Sequence, residues 1–184
     1  IESALRTTLA NQDFEIFFQP QLHLLSNQLI GAEVLLRSVK GDLKSLSPAS
    51  YIPIAEETGL IQSIGEWVIE ETCRQLSVWQ KRYHLPEDFS ASVNLSVKQL
   101  NDDSVIHILE RQLEEHKLPA SLLEVEITET VVMEKTDQNL KVLCDIHNLG
   151  VSIALDDFGT GYSSMSYLTQ LPLNVLKIDR SFVN

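Results

Sequence analysis

Two spacings of apolar residues alternate along this chain. Stretches with apolar side chains at roughly every third or fourth position follow stretches that alternate or run continuously apolar, the contrast that separates helices from strands. Residues 14–25 (FEIFFQPQLHLL) and 29–37 (LIGAEVLLR) predict two strands joined by a turn at SNQ. Pro20 marks the first as an edge or irregular strand, because proline cannot donate to a ladder. Further strands are predicted at 91–96 (ASVNLS), 122–128 (LLEVEIT), 151–157 (VSIALDD) and 174–179 (NVLKID). Helices fill the intervals. A short one at 3–11 is opened by a Ser cap, and others are predicted at 48–57, 105–116, 137–150 and 162–171. A long helix is predicted at 64–83, where Trp67, Val68, Cys73, Leu76 and Trp79 fall close to helical period. Gly150 suits the C-cap of the helix it closes.

Strands separated by helices of this length pair in parallel through right-handed crossovers, so the pattern predicts an α/β fold. Both an open doubly wound sheet and a closed barrel satisfy it. The 184 residues predict one domain with a substantial core, and no repeat, low-complexity tract or linker divides them.

Composition narrows the partners. A net charge of −12 argues against a general nucleic-acid surface, which would be basic. It leaves room for an acidic site that binds a phosphorylated substrate through metal cations. No run of eighteen apolar residues and no signal-peptide pattern is present, which predicts no membrane contact. Cys73 and Cys144 stand alone in helical segments, as reduced core thiols of a cytoplasmic protein would.

The strand ends decide between the two architectures. In chain order they carry Glu33, Asn94, Glu126, Asp156 with Asp157, and Lys177. The successive intervals, Asn94 to Glu126, Glu126 to Asp156 and Asp156 to Lys177, are 32, 30 and 21 residues, the lengths of single β/α units. Period-two alternation puts Ser92 with Asn94, Glu124 with Glu126, Ala154 with Asp156, and Val175 with Lys177 and Asp179 on shared faces. One polar side chain per strand, at the same end and on the same interior face, is how a (β/α)8 barrel assembles an active site. An open sheet concentrates its site at one switch point instead.

Each of these residues taken singly is explained by a cap or a strand-end hydrogen bond. Five together are not. Four carboxylates and an amide in one pocket need a compensating charge, and all-oxygen ligands select a hard divalent ion, Mg²⁺ or Mn²⁺. Adjacent Asp156 and Asp157 suit a two-metal site, and Lys177 could hold or deprotonate an attacking water, the latter only if its pKa fell. The histidines at 23, 84, 107, 116 and 147 show no zinc spacing, and the GTG at 159–161 lacks the dinucleotide fingerprint.

The motifs GAEVLLR, SVNLS, EVEITE, ALDDFGTGYSS and LKIDRSFV, with FFQPQ, YIPIAEETGLI and LPLNVLKID, resemble those of the EAL domain, the bacterial cyclic di-GMP phosphodiesterase, from about Phe14 to the last residue. The resemblance implies a (β/α)8 barrel with one antiparallel strand, and metal-dependent hydrolysis of one phosphodiester of cyclic di-GMP to linear pGpG. It implies that Glu33, Asn94, Glu126 and Asp156 hold a first metal, and Asp156 with Asp157 a second. Lys177 contacts the nucleophilic water, and Glu129 steadies the loop after Asp157. Gln19 and Arg37 touch the substrate, Arg37 by pairing with a phosphate, and Asp179 belongs to the same substrate-facing set near the second metal.

Two departures stand beside it. Val34 occupies the middle of the signature triplet Glu33-Val34-Leu35, where the family has Ala, on the face away from the pocket. The chain also stops at Asn184, which predicts that residues 1–184 are an EAL domain lacking its last two β/α units, with a further metal-binding Glu and a Gln near the guanine. Cyclic di-GMP is the expected ligand, a homodimer is possible, and sensory domains are expected in a longer parent chain that could be membrane-anchored. Two other readings stay open: a receptor that binds cyclic di-GMP without hydrolysing it, and a Mg²⁺-dependent barrel lyase with Lys177 as carbon-acid base. Asp157 and Arg37 suit the lyase less well.

Overall fold

A computed structural model of the chain describes residues 1–129, 137–159 and 168–182. Its strands are β1 (Phe14–Leu22), β2 (Leu29–Ser38), β3 (Ser90–Asn94), β4 (Leu123–Thr128), β5 (Ser152–Phe158) and β6 (Val175–Ile178). The helices are α1 (Glu2–Ala10), α2 (Pro48–Glu57), α3 (Leu60–Arg82), α4 (Ser104–His116) and α5 (Asp137–Asn148). The six strands lie side by side in chain order in one sheet. β1 and β2 pair antiparallel, and every later pair is parallel. Among the described residues, the chain forms an α/β fold with a single antiparallel strand.

The alternation in the strands sorts the two faces as expected. Val34, Val93, Val125, Ile153 and Leu155 are buried on the helix-covered side. Helix α3 buries a stripe of Ile61, Ile64, Val68, Ile69, Cys73 and Leu76. Its two tryptophans meet the edge strand: Trp67 lies 6.1 Å from the Phe14 ring and Trp79 lies 4.5 Å from the Phe18 ring, tilted geometries that favour aromatic pairs. Cys73 is fully buried and burial pushes its thiol up to about 12, so it is an inert core residue. Cys144 is half-buried on α5, and both thiols are free.

The clearest departures from the sequence expectation are at two boundaries. Strand β1 stops at Leu22, not at 25, because residues 23–28 form a wide turn. His23 N–H donates to Gln28 O, Asn27 N–H donates to His23 O, and Asn27 adopts φ +53°, a left-handed conformation that asparagine tolerates. Helix α3 begins at Leu60, earlier than position 64, straight after Gly59 at φ +74°. The helix expected at 162–171 falls mostly outside the described residues.

Just past Asn94, the loop that follows β3 is tied down by a closed set of bonds. Ser96 and Gln99 form a capping box, and the Ser96 hydroxyl donates to Glu56 Oε1 of α2 at 2.6 Å. The Gln62 amide of α3 donates to Lys98 O at 2.8 Å. Gly65 lies so close to the Gln99 side chain that a Cβ there would collide with it. The strand end that carries Asn94 is therefore fixed to two helices.

Candidate active site

The polar side chains predicted to share one end of the sheet do converge. Register explains how. Gln19 stands opposite Glu33 across β1 and β2, and Asn94 opposite Glu126 across β3 and β4. Asp156 is two residues beyond Ala154, the partner of Glu126, and Lys177 is two beyond Val175, the partner of Ala154. An irregularity between Leu155 and Phe158 interrupts the β5–β6 ladder at this level.

At the centre is an ammonium group. Lys177 Nζ lies 2.8 Å from Glu126 Oε1, 3.3 Å from Glu33 Oε2 and 3.3 Å from Asp156 Oδ1. The Asn94 amide donates to Glu33 Oε1 at 3.2 Å. Glu126 is 1% exposed, and its Oε2 has no hydrogen-bond partner among the described residues. Burial raises the Glu126 carboxyl to about 7, helped by the charges of Glu33 and Asp156 and opposed by Lys177. Burial pulls the Lys177 pKa down, but the bond to Glu126 and the three surrounding carboxylates outweigh it and hold the ammonium above its ordinary value.

Asp157 adopts φ +53°, a left-handed backbone that costs of order 1–3 kcal/mol for a non-glycine residue and is typical of functional sites. Burial and the neighbouring Asp156 and Asp179 charges raise its carboxyl. Gly159 follows at φ +102°, with the Phe182 ring where a Cβ would stand, so glycine is required there. Asp179 is held below the ordinary carboxylate range by hydrogen bonding from Ser181, whose N–H donates to it at 2.9 Å. Glu129 is buried just after β4. Gln19 is exposed on β1, and Arg37, at the far end of β2, donates to Leu36 O at 2.7 Å.

Beneath the site, Ser92 donates to Glu124 Oε1 at 2.7 Å, both side chains being buried. Their shared face with Asn94 and Glu126 was legible from period two, but not that they form one closed pair. Lys44, in the loop after β2, lines the same hollow as Arg37. No periodicity marks a loop lysine in a sequence.

The site suits divalent cations by its donors. Every candidate ligand offers oxygen, one buried carboxylate oxygen lacks a partner, and the surrounding carboxylates are organised around a positive charge. Among the described residues, no three His, Cys, Asp or Glu side chains form a ready metal cage. Here Lys177 supplies the counter-charge.

The EAL domain family profile matches residues 2–184. The chain belongs to the EAL domain family. It is 40% identical over 183 residues to the signaling protein YkoW of Bacillus subtilis, covering all of this chain and 22% of that protein. It is 39% identical over 180 residues to MucR of Pseudomonas aeruginosa, named a bifunctional diguanylate cyclase/cyclic di-GMP phosphodiesterase, covering 98% of this chain and 26% of that protein. The MucR phosphodiesterase solved as a c-di-GMP complex superimposes with a TM-score of 0.91 at 39% identity, over all of this chain and 73% of that one. The EAL domain of FimX from P. aeruginosa, solved bound to c-di-GMP, has a TM-score of 0.86 at 26% identity, over all of this chain and 72% of that one. The six-stranded sheet is thus part of the EAL barrel, and this chain spans about a quarter of the length of the curated relatives named here. Among its described residues, no helix is long and apolar enough to cross a membrane.

The Glu126 carboxyl gives the EAL site a pH signature. Its pKa is higher folded, about 7, than the ordinary 4.5, so the folded state binds the proton more tightly. The resulting stability is fully present below pH 4.5 and is lost as pH rises through 7. The swing is about 3 kcal/mol at most. With divalent cations chelated, the melting temperature is expected to fall between pH 5 and 8, and the fall should shrink in Glu126→Gln. Thermal unfolding across that range checks it, and a flat profile contradicts it.

Proposed function

We propose that this EAL domain hydrolyses cyclic di-GMP to linear pGpG with divalent cations, Mg²⁺ or Mn²⁺. The observation that carries this reading is the convergence of Glu33, Asn94, Glu126, Asp156 and Lys177 at one end of the parallel strands. The c-di-GMP complexes of similar EAL domains support the substrate. In the reaction, water adds at one phosphorus, the ester bond to the neighbouring ribose 3′ oxygen breaks, and that oxygen takes up a proton.

Glu33, Asn94, Glu126 and Asp156 would hold one cation, and Asp156 with Asp157 a second. When bound, such ions neutralise phosphate charge and acidify water. Lys177 orients the attacking water by donating to its oxygen and stays protonated beside its carboxylates. Arg37 pairs with phosphate, and Gln19, level with Glu33 on the neighbouring strand, reaches the substrate from the sheet edge. Asp179 would lie near the second cation, and buried Glu129 would support the loop beyond Asp157. The domain serves second-messenger signalling in the cytoplasm as one module of a longer protein with sensory domains.

Turnover is expected in Mg²⁺ or Mn²⁺, and none with excess chelator. Ca²⁺ is expected to inhibit, because a larger ion with looser coordination misaligns water and phosphorus. Measuring pGpG formation under each condition tests the reading, and equal rates in Ca²⁺ or in chelator contradict it.

A further inference from the structure

We propose that Lys44 is a second substrate-binding cation of this site, pairing together with Arg37 with the phosphate of cyclic di-GMP that is not hydrolysed. The inference rests on the phosphodiesterase reading and adds a residue to it. A hollow of about 590 Å³ lies along β1 and β2, lined among others by Phe17, Gln19, Leu35, Arg37 and Lys44. Gln19 is its link to the metal-binding end, being level with Glu33. From Glu33 the same face of β2 continues through Leu35 to Arg37, four residues or roughly 13 Å along the strand. A ligand that engages both the carboxylate end and Arg37 must therefore carry two separated anionic groups, as a cyclic dinucleotide does.

The charges at the far end suit that task. Neither Arg37 nor Lys44 is ion-paired to a carboxylate among the described residues, although the chain has 26 acidic residues against 14 basic ones. Glu15 stands opposite Arg37 in register, yet the guanidinium bonds to a backbone carbonyl and not to that carboxylate. Lys44 sits on the irregular segment after β2, where its long stem can swing over the hollow. Phe17, opposite Leu35 and 52% exposed, offers an apolar wall between the two ends on which a base can lie. One anionic end of the ligand thus meets cation-loaded carboxylates and the other meets two unpaired cations.

The experiment is equilibrium binding of cyclic di-GMP to the full chain in Ca²⁺, for the wild type and for Lys44→Ala, Lys44→Glu and Lys44→Arg, at low and high salt. Lys44→Ala is expected to raise Kd about tenfold, the scale of one charge-assisted hydrogen bond. Lys44→Glu should raise it further, and Lys44→Arg should stay within about threefold of wild type. The salt dependence of Kd should be shallower in Lys44→Ala, since one screened contact is gone. In Mg²⁺ the penalty should fall on KM far more than on kcat. Thermal unfolding controls for folding, and Lys44→Arg serves the same end if Lys44→Ala is destabilised. Wild-type binding with an unchanged Kd in Lys44→Ala and Lys44→Glu overturns the assignment while leaving the phosphodiesterase reading intact. No wild-type binding at all overturns both.

Discussion

Asp156→Asn is expected to lower kcat/KM for cyclic di-GMP by about 1,000-fold, equivalent to roughly 4 kcal/mol of transition-state stabilisation. Asn keeps the shape of the side chain, so the strand and its neighbours are undisturbed. What disappears is an anion. In the proposed site Asp156 would be a ligand of both cations, so its loss would weaken both. Asp157 follows on a left-handed backbone that fixes its direction. In chelator the variant should unfold at the same temperature as wild type or higher, because Asp156 crowds against the Glu33 and Glu126 carboxylates around a single ammonium. Steady-state rates with thermal unfolding separate the two effects. A rate loss below about tenfold contradicts the shared-ligand role.

Lys177→Ala is expected to lower kcat by about 100- to 1,000-fold while changing the affinity for cyclic di-GMP by less than about threefold. Arg37→Ala should do the reverse, raising Kd by about tenfold or more with a smaller effect on kcat. The split follows from position. Lys177 lies among the carboxylates where water and phosphorus meet, whereas Arg37 lies farther along β2 at the end of the hollow. Lys177→Ala carries a second expectation. It removes the counter-charge of Glu126, a carboxylate 1% exposed, and stripping the partner from a buried charge is strongly destabilising unless the group takes up a proton. The variant's metal-free form should therefore lose stability above pH 7 and recover it when divalent cations are added. If Lys177→Ala changed affinity alone, the assignment of the two cations would be reversed.

The strands were legible because period two survives in VNL, EVEI, IALD and VLKI even where the apolar face is short. The same period placed Glu33, Asn94, Glu126, Asp156 and Lys177 on one face at the same end of the strands, and the intervals between them read as β/α units. The ladder registers keep them at the same end but step them: Asn94 faces Glu126, whereas Glu33 faces Ser92 and Glu126 faces Ala154, so Asp156 and Lys177 stand two residues further along. The wide turn at 23–28 was not legible, because its bonds join backbone groups and a His–Ser pair that no pattern announces. Nor was the left-handed backbone at Asp157, since aspartate visits that conformation only where surrounding structure imposes it. The ammonium of Lys177 among three carboxylates is a matter of side-chain reach. Alternation could place the lysine on the right face but could not say that it touches Glu33 on a strand 144 positions away.

The most direct test of the central claim is product analysis after incubating the protein with cyclic di-GMP and Mg²⁺, alongside Asp156→Asn. The account predicts conversion to linear pGpG by the wild type and almost none by the variant. Cyclic di-GMP that is bound but recovered intact from the wild type would contradict it and make this EAL domain a receptor.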